Sequence, residues 1–153
     1  MRHLENPHRA VHRNIPLRFR ADPEWPCALL AACPRHATTP LHDLPEMAAA
    51  QGIATLWVKD ESARMGLGSF KALGGAFAVA HVLQSRATET LGTYVDPHEM
   101  TTDAFRDIAS AMTFITASAG NHGLSVAAGA RIFGAQAVVV LGRAVPEAFA
   151  ERL

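Results

Sequence analysis

The chain has 153 residues, of which 49% are hydrophobic and 18% are charged, a balance typical of a globular protein with a buried core. Lys plus Arg and Asp plus Glu number 14 each, so the balanced charge gives no reason to expect nucleic acid or an anionic membrane as a partner. Apolar runs stay shorter than the about 20 residues of a membrane helix, and residues 1–20 lack the apolar centre of a signal peptide. We therefore predict a cytoplasmic protein.

Residues 1–36 are predicted to form an irregular arm. Six of the nine prolines lie in residues 1–40, which favours extended chain and loop over helix. Five arginines of this arm are interpreted as a solvated basic tail: Arg2, Arg9, Arg13, Arg18 and Arg20. Its two cysteines are predicted to be free thiols, and we predict no metal site, because their spacing departs from that of short zinc motifs. The side chains considered for such a site are Cys27, Cys33, His36 and His42.

Residues 37–85 are predicted to belong to a larger, cofactor-binding domain. A short helix is expected over 44–51, with Asp43 as its N-cap and Gly52 as its end. Residues 53–59 are dense in β-branched and aromatic side chains, which predicts a strand. A glycine-rich turn follows.

A helix is then predicted over 69–85, with Ser69 as its N-cap. Its apolar positions fall at helical spacing and predict one buried face, formed by Phe70, Leu73, Phe77 and Ala80. Gly74 and Gly75 lower helix propensity, so we expect them to permit close approach of a neighbouring element.

Residues 86–111 are predicted to be a connector that contains one helix, over 102–111. From 112 onwards the pattern is that of a smaller α/β domain. A strand over 112–116, a helix over 121–133 ended by Gly134 and a strand over 137–141 predict a parallel β-α-β unit, and Pro146 opens a further helix. The second strand is apolar throughout, so we expect it to be buried on both faces.

Two segments carry the candidate chemistry. The first, GLGSFKALGG over 66–75, places Lys71 one turn into a helix among apolar neighbours, where a desolvated amine would be a nucleophile. A lysine in such surroundings also commonly extends its amine to water, and this alternative stays open. The spacing matches neither the dinucleotide-binding fingerprint nor a phosphate-binding P-loop.

The second segment, TASAGNHG over 116–123, joins a predicted strand to a predicted helix start. Backbone N–H groups are unpaired there and the helix dipole is positive, so the position suits a carboxylate or a phosphate. Ser118 adds a hydroxyl and Asn121 an amide. The alternative, equally open at this point, is that both residues only cap the helix.

The stretch KDESARMGLGSFKALGG over 59–75 resembles the lysine segment of diaminopropionate ammonia-lyases and, more broadly, of the tryptophan-synthase-like (fold type II) pyridoxal-phosphate enzymes. Thr39-Pro40-Leu41 is similar to an opening motif of this group, and residues 116–122 resemble the asparagine loop of threonine dehydratases. The resemblance implies an α/β fold, with parallel sheets flanked by helices in two domains. It implies that Lys71 binds pyridoxal 5'-phosphate and moves the α-proton, and that Asn121 holds the pyridine 3-hydroxyl. The substrate carboxylate would be held by Ser118, Gly120 and His122.

The resemblance predicts an ammonia-lyase that acts on an amino acid like 2,3-diaminopropionate by α,β-elimination. A serine or threonine dehydratase, a β-replacement synthase and a non-catalytic remnant are the alternatives. Ala119 stands where diaminopropionate ammonia-lyases commonly carry an acidic residue, which favours Lys71 as the single base. The chain is short for a two-domain enzyme and shows no phosphate-binding loop, so we interpret it as the N-terminal part of a longer enzyme, inactive alone and a homodimer when full length.

Overall fold

A computed structural model describes residues 23–33, 35–118 and 120–153. The arginine cluster of the predicted basic tail, like Ala119, lies outside the described residues. No helix among the described residues is long and apolar enough to cross a membrane.

Residues Glu24–Ala32 form a helix, α1, which corrects the prediction of an irregular arm for this part of residues 1–36. Residues 1–22 of the predicted arm lie outside the described residues. Pro23 is its N-cap residue and Pro26 lies in its first turn. Proline is tolerated there because the first N–H groups of a helix have no intrahelical acceptor to lose. The high proline content was therefore compatible with a helix that begins at those prolines.

A small antiparallel sheet follows α1. Strand β1 covers Leu41–Asp43 and pairs with β2, Trp57–Lys59, so the predicted strand over 53–59 is real but shorter. Helix α2, Pro45–Ala50, lies between them. The predicted cap is wrong, since Asp43 belongs to β1 and the N-cap is Leu44 without a side-chain hydrogen bond.

Helix α3 runs over Lys71–Leu91, six residues beyond its predicted end, and stops at Gly92, whose φ of 70° is left-handed. Its buried face matches the prediction only in part, since Ala80 is buried but Leu73 and Phe77 are half-buried. Phe70 is 64% exposed, and the helix instead buries a stripe of mostly small residues: Ala72, Gly75, Val79, Ala80, Leu83, Gln84 and Ala87. Small side chains allow another helix to approach closely. The aromatic face contacts α1 instead, where the rings of Phe77 and Trp25 pack edge to face with centroids 4.9 Å apart.

Helix α4, Asp103–Ser110, begins as predicted at Thr102, whose Oγ1 accepts a hydrogen bond from the Phe105 N–H. Strand β3, Thr113–Ala117, helix α5, Asn121–Phe133, and strand β4, Gln136–Val140, confirm the predicted β-α-β unit with parallel pairing. Helix α5 ends at Gly134 as predicted. Helix α6, Glu147–Ala150, follows Pro146.

One hydrophobic cluster joins α3, α4 and α5, with Leu83, Met100, Phe105, Ala130 and Phe133 among its members. Helices from before, within and after the predicted connector of residues 86–111 therefore share one core. The predicted division into two domains stays a prediction.

The outer face of the β3–β4 sheet is bare among the described residues. Ile115 and Val138, which are register partners, are 73% and 48% exposed. The expectation that β4 is buried on both faces is wrong for the described chain, because only the face toward α5 is covered.

Candidate active site

The loop before Lys71 is shaped by left-handed backbone. Met65, Gly66 and Gly68 have φ values of 52°, 73° and 74°. Glycine adopts this region without the steric cost that a Cβ brings, so the two glycines let the chain turn sharply into α3. The glycine-rich spacing seen in the sequence therefore has a local geometric reason.

An ion pair between buried Arg64 and half-buried Glu61 anchors the same loop. Arg64 is buried, and its Nε and Nη2 donate to the two carboxylate oxygens of Glu61 at 2.6 and 2.7 Å. Arg64 Nη2 also donates to Thr39 Oγ1 at 2.8 Å, and Arg64 Nη1 to the Ala37 carbonyl oxygen at 2.8 Å. These bonds tie the Thr39-Pro40-Leu41 motif to the lysine segment.

The electrostatics of this network favour the charged forms. Hydrogen bonds from Arg64 and then from Thr39 lower the pKa of Glu61 from 4.5 to about 2. The same pairing with Glu61 raises the pKa of Arg64. Sequence reasoning missed this network, although the Glu61–Arg64 spacing of three residues was a visible signal for an ion pair.

Lys71 is the first residue of α3 and its side chain is exposed. Its backbone N–H donates to Ser69 Oγ at 3.3 Å, while Phe70 and not Ser69 is the N-cap residue. No described residue is hydrogen-bonded to or paired with Lys71 Nζ. The expected desolvation is therefore absent among the described residues, and the amine is open to a ligand.

Ser118 follows β3 and organises the start of α5. Its Oγ accepts hydrogen bonds from the N–H groups of Gly120 at 3.3 Å and Gly123 at 3.0 Å. Its backbone N–H donates to the Val140 carbonyl oxygen of β4 at 3.2 Å. The capping interpretation is thus correct for Ser118, whose hydroxyl is used by the protein itself.

The other predicted residues of this loop are open. Asn121 and His122 are the first two residues of α5, and both are exposed. Within the described ranges, nothing accepts from their backbone N–H groups or bonds the Asn121 amide. Because the Gly123 N–H is already bonded to Ser118, the N–H groups of Asn121 and His122 remain for an anionic ligand.

The packing of α3 against α5 brings the two segments to one place. A Cβ added to Gly75 would lie 1.8 Å from Ser125 Oγ, and one added to Gly129 would lie 2.9 Å from Ala76 Cα and 3.3 Å from Val79 Cβ. Residue numbers rise together along this contact, so the helices run in the same direction. Their first residues, Lys71 and Asn121, therefore lie at the same end of the pair.

This donor set fits pyridoxal phosphate chemically. The cofactor needs an amine for its aldehyde and a neutral hydrogen-bonding group for its ring hydroxyl, and its amino acid partner needs N–H donors for a carboxylate. Lys71 Nζ, the Asn121 amide and the open N–H groups of Asn121 and His122 are of these three types. No group of three or more metal-ligating side chains occurs in the described part of the chain, where Cys27 is exposed and Cys33 half-buried.

Comparison with known proteins identifies similar chains. Diaminopropionate ammonia-lyase of Salmonella typhimurium is 35% identical over 108 residues, which cover 71% of this chain and 26% of that protein. The enzyme of Escherichia coli K12 is 39% identical over 103 residues, 67% of this chain and 25% of that protein. This chain thus spans about a quarter of the length of the curated relatives that it matches.

Solved structures give the same result. The apo form of the Escherichia coli diaminopropionate ammonia-lyase superposes with a TM-score of 0.69 at 29% identity, covering 84% of this chain and 34% of that one. Its complex with an aminoacrylate-PLP azomethine reaction intermediate gives a TM-score of 0.67 at 30% identity, over 84% of this chain and 30% of that one. The family described as pyridoxal-phosphate dependent enzyme matches residues 33–153. The chain belongs to this family of pyridoxal-phosphate-dependent enzymes.

Proposed function

We propose that this chain forms the part of a carbon–nitrogen lyase that carries the reactive lysine, in an enzyme that releases ammonia from 2,3-diaminopropionate or a similar β-substituted amino acid. The observation that carries the proposal is the placement of Lys71 and Asn121 at the same end of two parallel helices, each side chain without a partner among the described residues. The relatives named diaminopropionate ammonia-lyase support the choice of reaction.

Each residue would have a distinct task. Pyridoxal phosphate, when bound, supplies an aldehyde for the substrate amino group and a ring that stabilises negative charge at the α-carbon. Lys71 Nζ, the open amine at this place, would hold the cofactor aldehyde until the substrate amino group replaces it there. The freed Lys71 amine would then take the α-proton. Asn121 orients the ring through its hydroxyl, and the N–H groups of Asn121 and His122 hold the substrate carboxylate.

The overall change is an α,β-elimination. The substrate loses its α-proton to Lys71 and its β-amino group as ammonia, which leaves an aminoacrylate. Water converts this product to a 2-oxo acid and a second ammonia. In this scheme Ser118 and Gly120 orient the loop and do not bind the substrate carboxylate directly. The reason is that the Ser118 hydroxyl already accepts hydrogen bonds from the N–H groups of Gly120 and Gly123.

A dehydratase acting on serine or threonine is the second candidate. Residues 116–122 resemble the asparagine loop of threonine dehydratases, and Ala119 supplies no second acidic group. The predicted cytoplasmic location and the homodimer of the full-length enzyme remain predictions.

The test is a substrate comparison with the full-length enzyme loaded with cofactor. Ammonia release is measured with both enantiomers of 2,3-diaminopropionate, with L-serine and with L-threonine, and a thiol is added in parallel to trap a β-replacement product. We expect the highest kcat/KM for diaminopropionate. A preference for L-threonine or L-serine would assign the dehydratase reaction, and a thiol adduct formed faster than ammonia would assign a synthase. No turnover of any substrate by a cofactor-loaded enzyme would contradict the lyase.

A further inference from the structure

The contact between α3 and α5 is closest at Gly75. A Cβ at this position would lie 1.8 Å from Ser125 Oγ, 2.7 Å from Ser125 Cβ and 3.2 Å from its carbonyl carbon. Rotation of the Ser125 hydroxyl alone would not make room, because the Ser125 Cβ is itself too near. Ser125 is 0% exposed, and its Oγ donates to the His122 carbonyl oxygen at 2.8 Å.

This contact lies one helical turn from both candidate site residues. Lys71 precedes Gly75 by four residues in α3, and Asn121 precedes Ser125 by four residues in α5. Four residues correspond to ~6 Å along a helix axis. A change in helix separation at Gly75 and Ser125 is therefore transmitted almost undiminished to Lys71 and Asn121, because a helix turn is stiff over that length.

Ser125 also links the contact to the start of α5 directly. Its hydroxyl bonds the His122 carbonyl oxygen, so the residue that sets the helix distance also holds the turn that presents the open N–H groups. Neither Gly75 nor Ser125 has a group that could reach the cofactor, since one has no side chain and the other is fully buried.

We propose that Gly75 and Ser125 are positioning residues, whose contact sets the distance between Lys71 Nζ and the Asn121 amide and so governs how tightly the cofactor is held. The inference rests on the proposed cofactor site. It assigns a task to two residues that do not touch the cofactor, and it explains why α3 carries glycine where helix propensity disfavours it.

The chain supplies a matched control for the test. Gly74 precedes Gly75 in the same helix and is exposed, and a Cβ there would meet nothing within 4 Å. Gly74→Ala and Gly75→Ala therefore gain the same helix propensity, while only Gly75→Ala drives α3 and α5 apart. A carbon atom needs ~3.5 Å from its neighbours, so the helices must separate by about 0.8 Å to clear the Ser125 Cβ and by about 1.7 Å to clear its Oγ.

The experiment uses the full-length enzyme and its cofactor-free form. Pyridoxal phosphate affinity is measured by titration, the bound cofactor by visible absorption, and turnover by ammonia release. Misplacement by about 1 Å can lower a rate on the order of 100-fold, so we expect a loss of this size in kcat for Gly75→Ala. Its cofactor affinity falls as well, whereas Gly74→Ala stays close to the wild type in all three measurements.

A compensating variant separates positioning from stability. Gly75→Ala with Ser125→Gly removes the two nearest atoms of Ser125 but also its bond to the His122 carbonyl oxygen. Ser125→Gly alone measures the loss from that bond, and we expect the double variant to bind the cofactor better than the two single losses combined. If Gly75→Ala does not fold, Gly129→Ala gives a smaller intrusion, 2.9 Å from Ala76 Cα, and we expect a smaller loss of affinity.

The outcomes are distinguishable from those of the proposed function. A folded Gly75→Ala protein with the cofactor affinity and absorption of Gly74→Ala would overturn the positioning role. A double variant whose loss of affinity equals the combined losses of the two single variants would overturn it as well. Absence of ammonia release from the wild type would instead refute the lyase and leave the affinity comparison valid.

Discussion

Replacement of Lys71 by alanine separates a cofactor role from a structural one. The Lys71 side chain is exposed and has no partner among the described residues, so its removal breaks no contact there. Its positive charge at the first position of α3 opposes the helix dipole, which costs about 0.3–1 kcal/mol, and alanine has the higher helix propensity by a few tenths. We therefore expect Lys71→Ala to raise the free energy of unfolding of the cofactor-free enzyme by about 0.5 kcal/mol.

The same substitution should abolish cofactor attachment. The assay combines urea unfolding of the cofactor-free protein with borohydride reduction of the loaded enzyme, followed by mass spectrometry of the labelled peptide. Wild-type enzyme should carry the reduced cofactor on Lys71, and Lys71→Ala should carry none. Undiminished covalent labelling of the variant, or a fall of more than about 1 kcal/mol in its unfolding free energy, would refute the reasoning.

Lys59 serves as the control, because its replacement should lower stability without affecting cofactor attachment. Its Nζ donates to the Thr39 carbonyl oxygen at 2.6 Å. Lys59→Ala removes this charge-assisted bond, so we expect a loss of about 1 kcal/mol in unfolding free energy with cofactor labelling retained.

Three further predictions concern other parts of the molecule. The pKa of Glu61 in the folded protein lies below its ordinary value, so its contribution to stability is complete above pH 4.5 and is lost as the pH falls toward about 2. Glu61→Gln should therefore flatten this part of an acid-unfolding curve. An unaltered curve would contradict the ion pair. Ala119→Asp should raise ammonia release from D-diaminopropionate relative to the L enantiomer, whereas equal rates for both enantiomers in the wild type would remove the basis of this expectation. The isolated 153-residue chain should associate through its bare sheet face, and the double variant Ile115→Thr, Val138→Thr should scatter less light at equal concentration; unchanged scattering would place the association elsewhere.

The elements that the sequence predicted well are those whose capping residues and apolar spacing favour the same structure. Helix α5 runs over Asn121–Phe133 as predicted, because its glycine stop and its small apolar face point to the same structure. Thr102 begins α4 for a similar local reason, a hydroxyl that accepts from a backbone N–H.

The wrong predictions concern residue types that are compatible with two kinds of local structure. A high proline content predicts irregular chain, but Pro23 and Pro26 lie at a helix start, where they cost no hydrogen bond. The apolar spacing of α3 predicts Phe70 and Ala80 on its buried face. Ala80 is buried, but Phe70 is exposed and Ala72 is buried, because a close helix neighbour favours small side chains. Propensity alone does not reveal which neighbour a helix will have.

In the candidate site, the chemistry of the side chains is predictable from the sequence but their proximity is not. The sequence identifies Lys71 and Asn121 as residues with suitable chemistry, but the 49 residues between them do not indicate how far apart the two side chains lie in the fold. Their helix starts lie at the same end of a contact between Gly75 and Ser125. The expected close approach is confirmed at Gly75 and not at Gly74, but the sequence does not identify Ser125 as its partner. Because the same offset of fifty separates both pairs, each site residue stands one turn before its own side of the contact. The chemistry was therefore readable from side-chain type, whereas the geometry depends on two residues that have no chemistry of their own.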